Sequence, residues 1–187
     1  ADASVPSMQR VAVEIIIQAK TQALRVTTTH LEYYSAKQRQ AQVERLRDLQ
    51  AEAAGHAGDA GAAEAASRRE PAGSPFEAGV RPASASLTAD FNFLPSDPSY
   101  ARLQAPIQAT AAGGRVPAYR DAWAAAHPGT PHAATVGVHD KAQWPGEPFC
   151  FDFIYVTEDL AARVEDVVVN RDTDASDHQP VLLVLRD

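Results

Sequence analysis

Phe149-Cys150-Phe151-Asp152-Phe153-Ile154-Tyr155-Val156 is the stretch on which the fold turns. A single carboxylate interrupts a run that is otherwise apolar, aromatic or β-branched, of strand length, and continued by Thr157. Flanked by Phe151 and Phe153, Asp152 has two readings. If its side of the strand is buried, the carboxylate must find a hydrogen-bonding partner or a metal. If the strand is half-exposed, the period-2 alternation simply turns it outward.

Strands also surround this one. Downstream, residues 164–170 and 180–185 read as strands, separated by a polar loop over 172–177. Upstream, residues 83–89 form a short strand that ends in Asp90-Phe91-Asn92-Phe93. Ser96-Asp97-Pro98 starts a helix, with Ser96 or Asp97 as cap and Pro98 in the first turn. Residues 119–126 read as a short helix stopped by His127-Pro128-Gly129. Near the start, residues 9–18 form a strand with Val11, Val13, Ile15 and Ile17 on one face, and residues 24–29 a second, joined by a hairpin link. Ser35 with Gln38 three residues on has capping-box spacing and predicts a helix to about Ala53. Its apolar face uses Ala36, Val43, Leu46 and Leu49, and Lys37, Arg39, Arg45 and Arg47 form its solvated side. Residues 51–82 are dominated by Ala, Gly and Pro, a composition that buries too little surface to offset its ordering entropy. They read as a fraying helix end and a long flexible low-complexity loop within one domain, residues 1–187. Strands outnumber helices, and the fold class is α/β (α+β), a layered sandwich.

Composition sets outer limits. A hydrophobic fraction of 45% and a charged fraction of 22% are those of a globular protein. No stretch approaches the ~20 apolar residues of a transmembrane segment. Cys150 is the only cysteine, which excludes an internal disulfide framework and fits a reducing compartment such as the cytoplasm. The net charge of -7 is uneven: residues 140–187 hold eleven acidic and four basic residues. An acidic surface of that kind opposes binding to a polyanion unless divalent metal neutralises it.

Four local features carry candidate chemistry: Thr29-His30-Leu31-Glu32, Asp90-Phe91-Asn92, Asp152 in its aromatic strand, and Ser176-Asp177-His178 before the last strand. Singly, each has an ordinary reading. His30 can be a surface residue, Asp90 and Asn92 plain turn formers, and Asp177-His178 a solvated loop tip. Together they supply what phosphoester hydrolysis needs: hard oxygen ligands for a divalent metal, a group to activate water, and donors for phosphate oxygens. His127, His132, His139 and Asp140, between Trp123 and Trp144, match no compact zinc spacing and read better as a substrate-facing loop.

In order, spacing and strand context these landmarks resemble the endonuclease/exonuclease/phosphatase superfamily, of the deoxyribonuclease I and exonuclease III type, over about residues 9–186 without the loop. The resemblance implies a layered α/β sandwich of which this chain supplies the C-terminal half. It implies a hydrolase dependent on Mg²⁺ or Mn²⁺, acting on nucleic acid, phospholipid or a small phosphoester. By the same resemblance Asp90 orients or deprotonates the attacking water or helps hold the metal, and Asn92 positions Asp90 and contacts phosphate. Asp152 orients His178, His178 is the base or stabilises developing charge, Asp177 binds metal, and His30 contacts phosphate or assists the leaving group. Two departures stand out. Ala89 occupies a position usually held by Gly. The family's Asn at the end of its first strand and its metal-binding Glu have no counterpart in residues 1–28, where Glu14 sits in an alternating strand. The chain, which opens on Ala1 rather than Met, is therefore expected to be a fragment or truncated product lacking the N-terminal half of its domain. Expressed alone it is expected to be loosely folded or poorly soluble and to turn over little substrate. The alternative is a non-catalytic domain that keeps the fold as a binding module.

Overall fold

The computed structural model describes residues 4–58, 81–108 and 114–187. Strands β1 (Ala12–Gln18) and β2 (Ala23–His30) form the expected hairpin, closed by Ala19 N donating to Gln22 O at 3.1 Å. Helix α1 (Ala36–Gly58) starts on Ser35, whose Oγ accepts from Gln38 N at 3.2 Å. It runs five residues past the expected Ala53. The rest of the expected loop, residues 59–80, lies outside the described residues. Then follow β3 (Ala85–Asp90) and α2 (Pro98–Gln104), capped by Asp97. Next come β4 (Tyr119–Asp121), α3 (Ala122–Ala126), β5 (Asp152–Thr157), α4 (Glu158–Ala161), β6 (Val164–Val169) and β7 (Val181–Leu185).

Two sheets result, one of five strands in the order β1-β2-β3-β5-β4 and one pairing β6 with β7. On one face of the larger sheet, α1 and α2 bury Val43, Leu46 and Leu103 against Leu87, Phe91, Phe93, Phe153 and Tyr155. On the other face, Ile154 and Val156 pack with Val164, Val167, Val181 and Leu183 of the second sheet. Alternation along β5 thus feeds two cores, and the layers run helices, sheet, sheet.

Two expectations change. Residues 119–121 are not helical, because they pair antiparallel with residues 155–157 of β5 and only then turn into α3. Arg47 is not on a solvated face: its guanidinium donates to the carbonyls of Arg102 (2.9 Å), Ala105 (2.6 Å) and Pro106 (2.8 Å), satisfying the C-terminal end of α2. As expected for a chain lacking part of its domain, the apolar residues on one face of β1 and just before it are uncovered among the described residues: Val11, Val13 and Ile15 are 75%, 53% and 53% exposed.

Beneath β1, a polar network is sealed in. Arg25, fully buried, donates to Glu14 Oε2 (2.9 Å), to the carbonyl of Pro82 (3.1 Å) and to Gln50 Oε1. Gln50 in turn donates to Ala83 O (2.9 Å) and Pro117 O (3.2 Å). One side chain thereby joins β1, β2, α1 and the entry to β3. Arg25→Ala strands the Gln50 carbonyl in the core, and a loss of about 3–5 kcal/mol is expected in urea unfolding. A loss under about 1 kcal/mol, as for an exposed ion pair, would contradict the burial.

Candidate active site

The site starts from strand register. β2 runs parallel to β3 with His30 beside Asp90, and β3 runs antiparallel to β5 with Asp90 beside Asp152. Three functional groups therefore stand on one rung of three adjacent strands. His30 Nε2 lies 3.2 Å from Asp90 Oδ2. Beyond β3 the chain turns sharply, with Asn92 at φ 51°, a left-handed conformation that Asn adopts more readily than most residues. That turn brings Asn92 N within 2.8 Å of Asp90 Oδ1, to which it donates, and Asn92 Nδ2 donates to Leu31 O at 2.9 Å. Ala89, where the resemblance leads one to expect Gly, packs its methyl against the helix-side core.

His178 arrives just before β7, held by a bridge to Val136. Its Nδ1 lies 2.9 Å from Asp152 Oδ2, and its Nε2 lies 3.9 Å from Asp90 Oδ2. A carboxylate can only accept, so Nδ1 carries the proton and Nε2 faces Asp90 and Asp177. Asp152 is itself held by Thr135, whose hydroxyl donates to Oδ2 at 2.5 Å while its oxygen accepts from Phe151 N and Asp152 N. Of the two readings of Asp152, the inward, partnered one holds. The hydrogen bond that His178 donates to Asp152 raises the His178 imidazolium above the ordinary histidine range against the effect of burial, helped by the charges of Asp152, Asp90 and Asp177. Burial raises the Asp90 carboxyl above its ordinary range, and the Asp152 charge adds to this. The Asn92 amide, His30 and His178 oppose it.

All six residues singled out in the sequence, His30, Asp90, Asn92, Asp152, Asp177 and His178, line one cavity of about 680 Å³. Asp90, Asp152 and His178 each offer a ligand atom within 4.8 Å of the others. Asp177 stands at the edge of that group, its Oδ2 3.8 Å from His178 Nε2. Asp152 commits Oδ2 to Thr135 and His178, and Asp90 and Asp177 add two further carboxylates to the cavity. Two carboxylates completed by water suit magnesium or manganese, and the donor set fits such an ion. The other histidines do not gather. His127 meets Val167 O and Asp166, His132 meets Asp121, and His139 meets Arg171 O.

Thr135, Gln143, Trp144 and Arg10 were not legible as site residues. Thr135 reaches Asp152 from 17 positions away, and Gln143 and Trp144 both reach Asp177. Arg10, Tyr33 and Tyr34 complete the cavity wall. Glu32, in the His30 motif, is buried and structural: it accepts from Met8 N (2.8 Å) and Tyr34 N (2.9 Å).

The fold recurs in solved structures. An endonuclease/exonuclease/phosphatase from Bacteroides vulgatus superposes with a TM-score of 0.52 at 19% identity, covering 95% of this chain and 55% of that one. Humanized D. rerio TDP2, bearing 14 mutations, superposes with a TM-score of 0.51 at 16% identity, covering 96% and 64%. The chain thus spans 55% and 64% of the length of these two structures. No protein-family model and no curated protein matches the sequence. With two sheets, flanking helices and the β-strand ends gathered at one cavity, the chain has the layered α/β fold of the endonuclease/exonuclease/phosphatase structures.

Proposed function

We propose that this chain carries the catalytic half of a metal-dependent phosphoester hydrolase. The observation that carries the reading is the Asp152–His178–Asp90 arrangement: a histidine fixed through Nδ1 by one carboxylate, with Nε2 turned to a second carboxylate in an open cavity. Asp152 sets the tautomer and stabilises the imidazolium. Neutral His178 takes a proton at Nε2 from the attacking water, and the resulting cation faces charge developing on the phosphoryl oxygens. Asp90 orients that water, and the Asn92 amide holds Asp90 in place. Asp90 and Asp177 would hold Mg²⁺ or Mn²⁺, which supplies positive charge to the phosphate and acidifies water. His30 contacts a phosphate oxygen or the leaving group. The substrate is a phosphoester, whether nucleic acid, phospholipid or small molecule.

A second part of the reading concerns completeness. The exposed apolar face of β1, and a length only 55–64% of the two similar structures, support a further segment of the same domain packing over β1 and contributing ligands. A chain without it would be the non-catalytic form.

With that segment joined to residues 1–187, Mg²⁺- or Mn²⁺-dependent hydrolysis of bis(p-nitrophenyl) phosphate is expected. Asp90→Asn and His178→Ala should each lower kcat about 10²–10⁴-fold, and unchanged turnover in both sinks the catalytic reading. Residues 1–187 alone should show little turnover. A soluble monomer of 187 residues with robust metal-dependent activity would refute the completeness reading instead.

The pH profile follows from the raised His178 value. A base must be neutral, so kcat should fall as pH drops through a value above 6.5, and Asp152→Asn should move that limb downward. The sign for stability is the reverse: the pair's contribution is fully present below pH 6.5 and is lost as pH rises through the higher folded value. An acid limb unmoved by Asp152→Asn would assign it to another group.

A further inference from the structure

Asp177 lies in an irregular loop between β6 and β7, and the hydrogen bonds to its carboxylate among the described residues come from side chains. A second loop, residues 137–148, supplies donors from outside. Two neutral donors converge on one oxygen: Trp144 Nε1 and Gln143 Nε2 each donate to Asp177 Oδ2 at 3.2 Å. Oδ1 keeps only a longer contact from the Ser176 hydroxyl, at 3.4 Å.

That second loop is built to hold those donors still. Gly137 sits at φ +69°, and a Cβ there would meet Trp144 Cβ at 3.0 Å, so the backbone passes close against the base of the Trp144 side chain. Asp140 Oδ1 accepts from Ala142 N and Gln143 N, both at 3.0 Å, and Trp144 N donates to Asp140 O at 3.2 Å, closing a tight turn. The indole packs edge-on against Phe149 at 5.4 Å between centroids. His139 anchors the far side on Arg171 O at 2.7 Å. Val136, which precedes this loop, bridges both to Phe149 and to His178. The rigidity of the turn is thus transmitted to the two adjacent residues, Asp177 and His178, from one direction.

We propose that Trp144, seconded by Gln143, is a positioning residue of the site: its indole N–H fixes the carboxylate of Asp177, whose Oδ2 lies 3.8 Å from His178 Nε2, in the orientation in which it would take a divalent cation. The inference rests on the metal-dependent reading above. Partners of this kind orient a ligand and set its strength without touching the ion, and their loss typically weakens metal binding about 10–100-fold.

The test uses residues 1–187 joined to the segment that covers β1, with Mn²⁺ as probe and the free-ion electron paramagnetic resonance signal as readout. Trp144→Phe keeps the ring and removes the donor, and should weaken Mn²⁺ binding by about 10–100-fold. Trp123→Phe, whose indole donates instead to Thr130 O, should leave it unchanged. Gln143→Leu removes the other donor and guards against a loop that collapses in Trp144→Phe; it should weaken binding in the same direction. Independently, the chain has two tryptophans, so Trp144→Phe assigns the Trp144 indole proton resonance. That resonance should shift in Asp177→Asn and on Mg²⁺ titration, while that of Trp123 stays. Wild-type Mn²⁺ affinity in both Trp144→Phe and Gln143→Leu, or an indole resonance indifferent to Asp177→Asn, overturns the proposal. Unchanged Mn²⁺ binding in both Asp90→Asn and Asp177→Asn sinks the metal reading itself, and the indole resonance then still decides whether Trp144 holds Asp177.

Discussion

Everything around the cavity answers one electrostatic constraint: register places Asp90 directly across from Asp152 at the last rung between β3 and β5. Like charges facing each other across a sheet oppose pairing, and partial burial of Asp90 sharpens the conflict. The conflict is resolved by what surrounds the pair. Thr135 and His178 take Asp152, the Asn92 amide takes one oxygen of Asp90, and His30 approaches the other. Each partner comes from a different part of the chain, so the rung stands only when the whole domain is assembled. A cation fits the same logic, since it relieves the repulsion that the strands impose.

The central position of β3 makes that assembly possible. It pairs parallel with β2 on one side and antiparallel with β5 on the other. Its end is thus the point where a parallel neighbour delivers His30 and an antiparallel neighbour delivers the first residue of its own strand, Asp152. Below the rung, Phe91, Phe93 and Phe153 fill the core between sheet and helices, with ring centroids 5.3–5.8 Å apart. The alternation that sends Asp90 and Asp152 toward the cavity works with a sharp turn at Asn92 that returns aromatic mass to the core. The site and the core are consecutive residues of one motif.

Local rules were legible in the sequence wherever the deciding interaction is local. The Ser35 cap and the Asp97 cap both hold, as does the β1–β2 hairpin. The Asp and His residues were recognisable because several weak motifs recur in a fixed order, not because any one spacing dictates chemistry. What escaped is long-range. Arg47 and Gln50 lie on α1 among solvated neighbours in sequence, yet the carbonyls they satisfy belong to segments that only folding brings near. Residues 119–121 run straight into the short helix at 122–126 and read as part of it, but they pair with the edge of β5. Thr135 and Trp144 stand in segments with no periodicity, and their roles exist only through partners 17 and 33 positions away.

The same distinction reshapes the argument from charge. Residues 140–187 are acidic in sequence, which reads as a surface hostile to phosphate. In the fold much of that acidity is already committed. Glu158 pairs with Arg115 and Arg120, Asp166 meets His127, and Asp159 accepts from Ser84. Asp152 is engaged by Thr135 and His178, and Asp177 by Trp144 and Gln143. Neutral donors hold Asp177 in place without cancelling its charge, whereas an arginine in the same place would have cancelled it. Meanwhile Arg10 and His30 line the cavity that these carboxylates border. A cavity bounded by uncancelled carboxylates and by cationic or neutral donors can take a divalent cation and an anion together, each lowering the electrostatic cost of the other. The net charge of the segment, taken alone, points the other way because it counts residues without their partners.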